Sequence, residues 1–360
     1  MDARVRHIAT IVLSWIVGGT FMFSGFVKSV DPVGTSIFVE KYLATYSLES
    51  LTPMALTVAV ALGSVELMLG IMLVSGAYRR EAAVGATIFL SIFTIVTLLS
   101  ATVLPIGDCG CFGDAVKLTP WETFVKNLVL LPMAIVLWWM CCKERPNRYS
   151  LDVLVVATLF AVGLNMTALR FLPLVDFLPY KEGVNLREEV AKVRDAESDA
   201  VRSVLCFVDK SSGERVEYPA DDADCWTNDN LEYVDAYTVR DEMSEMTFDD
   251  FRVYDTEGLD VTMSLLAREG SVVWLCVGDV DAMYGSRLRA AQEVVRNTPS
   301  SQLVVITSDD SAKLSSLLGA PCYAIDAMTL RSLLRAPVGI VVITDGIIDH
   351  KRDIRDYTAF

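Results

Sequence analysis

Histidine is nearly missing from this chain: His7 and His350 are the only two. That excludes histidine-rich metal sites and catalytic histidine relays, and no metal is expected. Positive charge is also short, with 31 Lys and Arg against 46 Asp and Glu. Nucleic acid is therefore a poor partner, because phosphate binding needs clustered cations. Charged residues of either sign make up only 21%, whereas hydrophobic residues make up 52%. A mean hydropathy of +0.41 is too apolar for an ordinary soluble domain and excludes disorder.

The scarce charge is unevenly shared. Residues 1–150 carry net +1 and residues 151–360 net −16. The greasy half and the first residues beyond it hold five stretches long enough for a hydrocarbon core, which needs about 20 apolar residues of helix. They run from Ile8 to Val27, Met54 to Ala77, Ala82 to Ile106, Phe124 to Cys142 and Leu151 to Leu172. Arg4, Arg6, Arg79, Arg80, Lys143, Arg145 and Arg148 fall in one set of loops, and only Lys28, Lys41, Lys117 and Lys126 in the other. The bias expects a cytoplasmic N-terminus and an acidic tail outside the cytoplasm. Val30 to Thr52 is too polar to span. Ile37, Phe38, Tyr42, Leu43 and Tyr46 suit a helix lying at the outer interface.

The cysteine pattern offers chemistry. Cys109 and Cys111, in Asp108-Cys109-Gly110-Cys111-Phe112-Gly113-Asp114, lie in the loop between spans three and four. On this topology the loop faces the oxidising side. A disulfide across one residue closes a very small ring, gains little from loop entropy and is prone to strain. Strained, exposed disulfides are the exchanging ones. A structural clip and soft-metal binding by Cu(I) remain open alternatives. Cys141 and Cys142 read as apolar filler at a helix end, and Cys206 with Cys225 is an undecided pair. Glu66 sits within span two, where an ionisable group is a functional candidate by default. Lys28 is placed to pair with Asp31, Asp108 or Asp114, or to stabilise a thiolate at Cys109 or Cys111. Phe112 and Trp121, near the outer interface, could stack on a quinone ring or simply belong to the aromatic belt.

These residues carry a resemblance. Phe23-Ser24-Gly25-Phe26-Val27-Lys28 with Asp31-Pro32-Val33-Gly34, and Glu66-Leu67 with Leu69-Gly70 before Arg79-Arg80, resemble the DoxX-like membrane proteins. Cys109-Gly110-Cys111-Phe112-Gly113 resembles the MauE branch of that group, named for methylamine utilisation. The resemblance covers about residues 1–145. It implies a four-helix bundle associated with disulfide or electron-transfer chemistry in a bacterial inner membrane. Methylamine metabolism is not implied.

The tail alternates strands and helices: strand Val272 to Val277, helix Asp281 to Asn297, strand Leu303 to Thr307, helix Asp309 to Leu318, strand Cys322 to Ile325, helix Ala327 to Leu334. A hairpin from Val338 follows. That order resembles a thioredoxin-like fold, with Pro337 where such proteins keep a cis-proline. Together the halves resemble envelope proteins of Bacteroidetes-type bacteria. One departure matters: the helix start after the central strand, Gly278-Asp279-Val280-Asp281-Ala282-Met283, holds no Cys-x-x-Cys. Cys276 and Cys322 read as small buried hydrophobes.

The expected organisation is a membrane bundle at 1–145, a fifth span and linker at 146–180, a hairpin-containing segment at 181–246 and a thioredoxin-like domain at 247–360. Two readings of function stand. In one, Cys109 and Cys111 exchange electrons with a partner thiol and pass them to a quinone, a thiol:quinone-type oxidoreductase activity, with Lys28, Glu66, Phe112 and Trp121 about the cofactor. In the other, the protein is a non-catalytic assembly factor whose bundle sits among lipids and whose acidic tail binds an envelope protein.

Overall fold

The computed structural model of the chain describes residues 3–103, 110–116, 118–146, 148–173, 175–177, 179–210, 215–219, 228, 230–240, 248 and 251–357. Its first half is helical: α1 (Ala3–Val30), α2 (Pro32–Thr45), α3 (Ala55–Ser75), α4 (Arg79–Thr102), α5 (Pro120–Cys141) and α6 (Ser150–Arg170). Among the described residues, five helices are long and apolar enough to cross a membrane: α1, α3 with the 3-10 turn before it, α4, α5 and α6. The protein is a membrane protein.

Local chemistry sets the helix ends. Val30 closes α1, and Asp31 then caps α2, its carboxylate accepting from Gly34 N at 2.7 Å with Pro32 at the first helical position. Thr119 and Glu122 form a capping box at the start of α5. α1 and α3 touch along their backbones. A Cβ on Gly25 would collide with the backbone of Leu67, and one on Gly70 with that of Met22. Close approach through small residues is how helices associate in lipid, where water exclusion offers no drive. This approach sets Lys28 of α1 opposite Glu66 of α3.

The second half is a mixed α/β domain. Helix α7 (Leu186–Ala200) leads into a three-stranded sheet of order β2-β1-β3, built from β1 (Val201–Asp209), β2 (Arg215–Pro219) and β3 (Leu231–Arg240). The hairpin expected within residues 181–246 is present as β1 and β2, though its turn lies outside the described residues. α7 and β3 carry no expectation from the sequence. Next come β4 (Val253–Tyr254), α8 (Thr262–Leu266), β5 (Ser271–Val277), α9 (Gly285–Asn297), β6 (Leu303–Thr307), α10 (Ser311–Leu318), β7 (Cys322–Ile325), α11 (Ala327–Leu333), β8 (Val338–Thr344) and β9 (Ile347–Asp353). They form one sheet of order β4-β7-β6-β5-β8-β9. Strands β7, β6 and β5 run parallel, whereas β8 is antiparallel to both β5 and β9. Buried side chains cover both faces, with Trp274 and Ile306 on one side and Leu275 and Val305 on the other. Asp345 and Gly346, both at positive φ, turn β8 into β9. Pro337 enters β8 through a trans bond, as does every residue described.

The α/β domain rests on the end of the bundle where α1 finishes and α5 starts. Arg331 of α11 donates to both oxygens of Glu40 at 3.0 and 2.7 Å and to Ser36 Oγ at 2.9 Å. Arg335 Nε donates to Asp31 Oδ2 at 3.0 Å. Arg355 reaches the carbonyl oxygen of Arg170 at 2.8 Å. Helix α2 is therefore held between bundle and α/β domain.

Candidate functional site

At this end of the bundle a buried ion pair marks the site. Lys28 Nζ donates to Glu66 Oε2 at 2.7 Å, and both side chains are only 5% exposed. The same ammonium donates to Ser24 Oγ at 2.7 Å and to the carbonyl oxygen of Cys111 at 2.6 Å. Ser24 Oγ donates to that carbonyl as well, at 2.6 Å. An ammonium has three hydrogens, and all three are used. The sequence offered Asp31, Asp108 or Asp114 as partners for Lys28; Glu66 takes the lysine instead, while Asp31 serves Arg335. The reason is geometric, since Asp31 caps the next helix and turns its second oxygen toward the α/β domain.

The Cys111 segment is a tight turn that leans on these helices. Gly110 and Gly113 have φ of +62° and +53°, and Gly113 N donates to the Gly110 carbonyl at 3.0 Å. A Cβ on Gly110 would stand 2.6 Å from the Phe38 ring, so conformation and space both demand glycine there. Cys111 is buried. Cys109, the other half of the motif, and Asp108 lie outside the described residues, as does Cys225.

Two cavities meet at this point. The smaller, about 40 Å³, is lined by Ser24, Lys28, Glu66, Cys111, Phe112 and Asn127 among others. The larger, about 270 Å³, is apolar, with walls from Phe38, Tyr42, Leu43, Leu62, Ile92 and Val96. Lys28, Phe93 and Cys111 border both. On the face of α5 turned to the bundle, Thr123 Oγ1 and Asn127 Nδ2 are buried without a hydrogen-bond partner among the described residues. Such orphans cost about 1–3 kcal/mol each.

Four of the six residues singled out from the sequence are thus brought together: Lys28, Glu66, Cys111 and Phe112. Phe112 packs on Phe23, with ring centroids 5.4 Å apart, and lies under Lys126 Nζ at 4.1 Å. It lines the smaller cavity, not the apolar one. Trp121 is not part of the group; it is 54% exposed and meets Phe124 edge-on. Ser24, Asn127, Phe38 and Phe93 were missed. Asn127 left a signal, a polar side chain inside an apolar run, which in a membrane helix is itself a pointer.

The α/β domain has no thiol in a reactive setting among its described residues. Burial pushes the Cys276 thiol far up, and raises Cys322 to about 11. A low thiol pKa is what exchange requires. The loop after β5 is held by carboxylates. Asp309 accepts from Val280 N at 3.1 Å, and Asp279 accepts from Asp281 N at 2.8 Å. The Val280 and Asp310 amides hold the Asp309 carboxyl below its usual range.

Comparison with known proteins agrees with this architecture in the first half of the chain. Residues 6–140 match the family described as methylamine utilisation protein MauE. Protein TlpB of Flavobacterium psychrophilum is 26% identical over 133 residues, which is 34% of this chain and 36% of that protein. The chain thus aligns with about a third of the length of this curated relative. No solved structure matches the chain.

Proposed function

With the match of residues 6–140 to the MauE family as the premise, we propose that the bundle is a membrane-embedded thiol–disulfide exchange unit whose working sulfurs are Cys109 and Cys111. A partner thiolate attacks the Cys109–Cys111 disulfide, and a mixed disulfide forms as one bridge sulfur leaves. The partner's second thiol then resolves it. The partner is oxidised and the bundle reduced by two electrons. On this reading the sulfur-bearing end faces the periplasm, the arginine-rich end faces the cytoplasm, and the acidic tail docks the envelope partner.

The observation that carries the reading is the placement of Cys111. Its backbone carbonyl is fixed by Lys28 and Ser24, and the residue stands on the wall between a polar and an apolar cavity. A purely structural clip has no need of a buried ion pair beside it. The apolar cavity fits a quinone headgroup: its volume is near the low end for small-molecule pockets, about 300–1,000 Å³, and Phe38, Tyr42 and Phe93 give it aromatic walls. A quinone bound there would take up the two electrons and two protons given up when the dithiol closes. Phe38 and Phe93 would orient its ring, Cys111 would border it, and the apolar lining would exclude water. The α/β domain, lacking a reactive thiol where the thioredoxin-like order would place one, serves as the docking module.

Thiol trapping in native membranes tests the reading. Cys109 and Cys111 should shift from disulfide to dithiol when quinone is depleted, and Cys109→Ser or Cys111→Ser should leave the partner dithiol reduced. A pair that keeps one state under every condition, with serine variants fully functional, would instead identify an assembly protein.

A further inference from the structure

We propose that the small cavity beside Glu66 is a hydration site, and that Glu66 receives through its water the proton released by Cys111 when the sulfur pair closes. The proposal rests on the thiol-exchange reading above and adds a route for its protons.

Glu66 is only half satisfied. Oε2 accepts from Lys28, whereas Oε1 accepts no hydrogen bond among the described residues, although Glu66 is just 4% exposed. Facing the same cavity is Asn127, 3% exposed, with Nδ2 lacking a partner among the described residues. An unused donor and an unused acceptor across a shared space are what a water molecule joins, accepting from Asn127 and donating to Glu66. The space suffices: a water needs about 10–15 Å³ by this measure, and the cavity offers about 40 Å³. Thr123, one turn nearer the start of α5, carries a buried hydroxyl without a partner among the described residues. It continues the polar stripe from Asn127 toward the sulfur-bearing end.

The other titratable groups bordering the cavity are poor acceptors for that proton. Lys28 has all three hydrogens engaged and no lone pair, and Lys126 is a second ammonium, held over the Phe112 ring. Glu66 alone offers an open oxygen. The step balances as follows. The Cys111 S–H bond breaks, its proton crosses the cavity water, and an O–H bond forms at Glu66 Oε1. The Cys111 electron pair forms the S–S bond with Cys109, whose S–H bond breaks; the electron pair and proton released from Cys109 pass to the quinone, which takes its second proton from Glu66 and so returns that carboxylate to its starting state.

The test uses the full-length protein in lipid nanodiscs. Radiolytic hydroxyl footprinting reads bound water directly: Phe112 and Leu130, which line the cavity, should be labelled in the wild type and at least tenfold less in Asn127→Leu. Closure of the reduced pair by menadione, followed by thiol trapping across pH, reads the proton. Asn127→Leu should slow closure about tenfold at neutral pH, equivalent to about 1.4 kcal/mol. Asn127→Ser should restore most of the rate, and Glu66→Gln should flatten the acid limb of the profile. An unlabelled Phe112 and Leu130 in the wild type would overturn the hydration site. A pH profile unchanged in Glu66→Gln, with the thiols still cycling, would overturn the proton role and leave thiol exchange intact. Thiols that never cycle would remove both readings.

Discussion

Lys28 and Glu66 can be tested as a pair, because the structure separates what each contributes. Replacing Lys28 by Met leaves the Glu66 carboxylate buried without its cation and strips the Cys111 carbonyl of one of its two described side-chain donors. Losing one partner of a buried pair costs about 3–5 kcal/mol. Glu66→Gln leaves the Lys28 cation without its anion but keeps all three of its acceptors, so it should cost less. The double variant Lys28→Met with Glu66→Leu removes both charges, and apolar replacement of a buried pair is often neutral or stabilising. It should recover most of the loss, so a double-mutant cycle closed with the Glu66→Leu single variant should be strongly non-additive. Steric-trapping measurements of the bundle in bicelles give these free energies. Thiol trapping on the same samples should show that the double variant folds but closes its cysteine pair slowly. Additive losses, with the double variant as damaged as the sum of the singles, would refute the pairing.

The backbone contact between α1 and α3 predicts that Gly25→Ala is damaging, by about 1–3 kcal/mol for overpacking. Gly163→Ala, where an added Cβ meets nothing within 4 Å, should be nearly neutral in the same unfolding assay. At the domain junction, Arg331→Ala combined with Arg335→Ala leaves Asp31 to its helix cap but releases α11 from α2. Limited proteolysis should then cut between bundle and α/β domain, whereas Arg289→Ala on exposed α9 should not bring this about. Asp309 gives a pH prediction. Its folded pKa lies below the ordinary 3.8 because the Val280 and Asp310 amides hold the charged form. The stability it adds is present above that ordinary value and lost as pH falls through the folded one. Asp309→Asn should therefore flatten the acid limb of α/β-domain unfolding, and an unchanged limb would count against the loop lock.

The spans were legible because a run of 20 apolar residues has one common meaning at this length, and the alternation in the tail because buried strands such as Leu303–Thr307 are continuous apolar runs between polar helices. Strand β3 escaped notice because Leu231–Arg240 mixes Glu232, Asp235 and Thr238 with its hydrophobics. Its pairing with β1 is a tertiary decision. The pairing of Lys28 was misjudged for a related reason. Asp31 is near in sequence, but Glu66 is brought near by Gly25 and Gly70, whose packing role no charge pattern reveals. Arg331 and Glu40 stand 291 positions apart, beyond the reach of any local rule. Cys111 could be singled out from its motif, yet not the carbonyl contact that fixes it.

The charge imbalance between the halves takes on a different meaning once α2 is in view. The tail carries net −16, yet at α2 it offers the bundle cations, Arg331 and Arg335, which meet Glu40 and Asp31. The acidic excess is therefore not what joins the tail to the bundle. Ser36 and Glu40, one turn apart, face Arg331, whereas Thr35, Phe38, Val39 and Tyr42 line the apolar cavity. One short helix thus has a polar face clamped by the α/β domain and an apolar face walling the space beside Cys111. Asp31 lies one turn beyond Lys28, so the clamp and the buried ion pair are anchored on adjacent turns of the same chain. A shift of α11 that broke the Arg331 and Arg335 contacts would free the outer wall of that cavity, while Lys28 would stay tied to Glu66 by a contact the α/β domain does not touch.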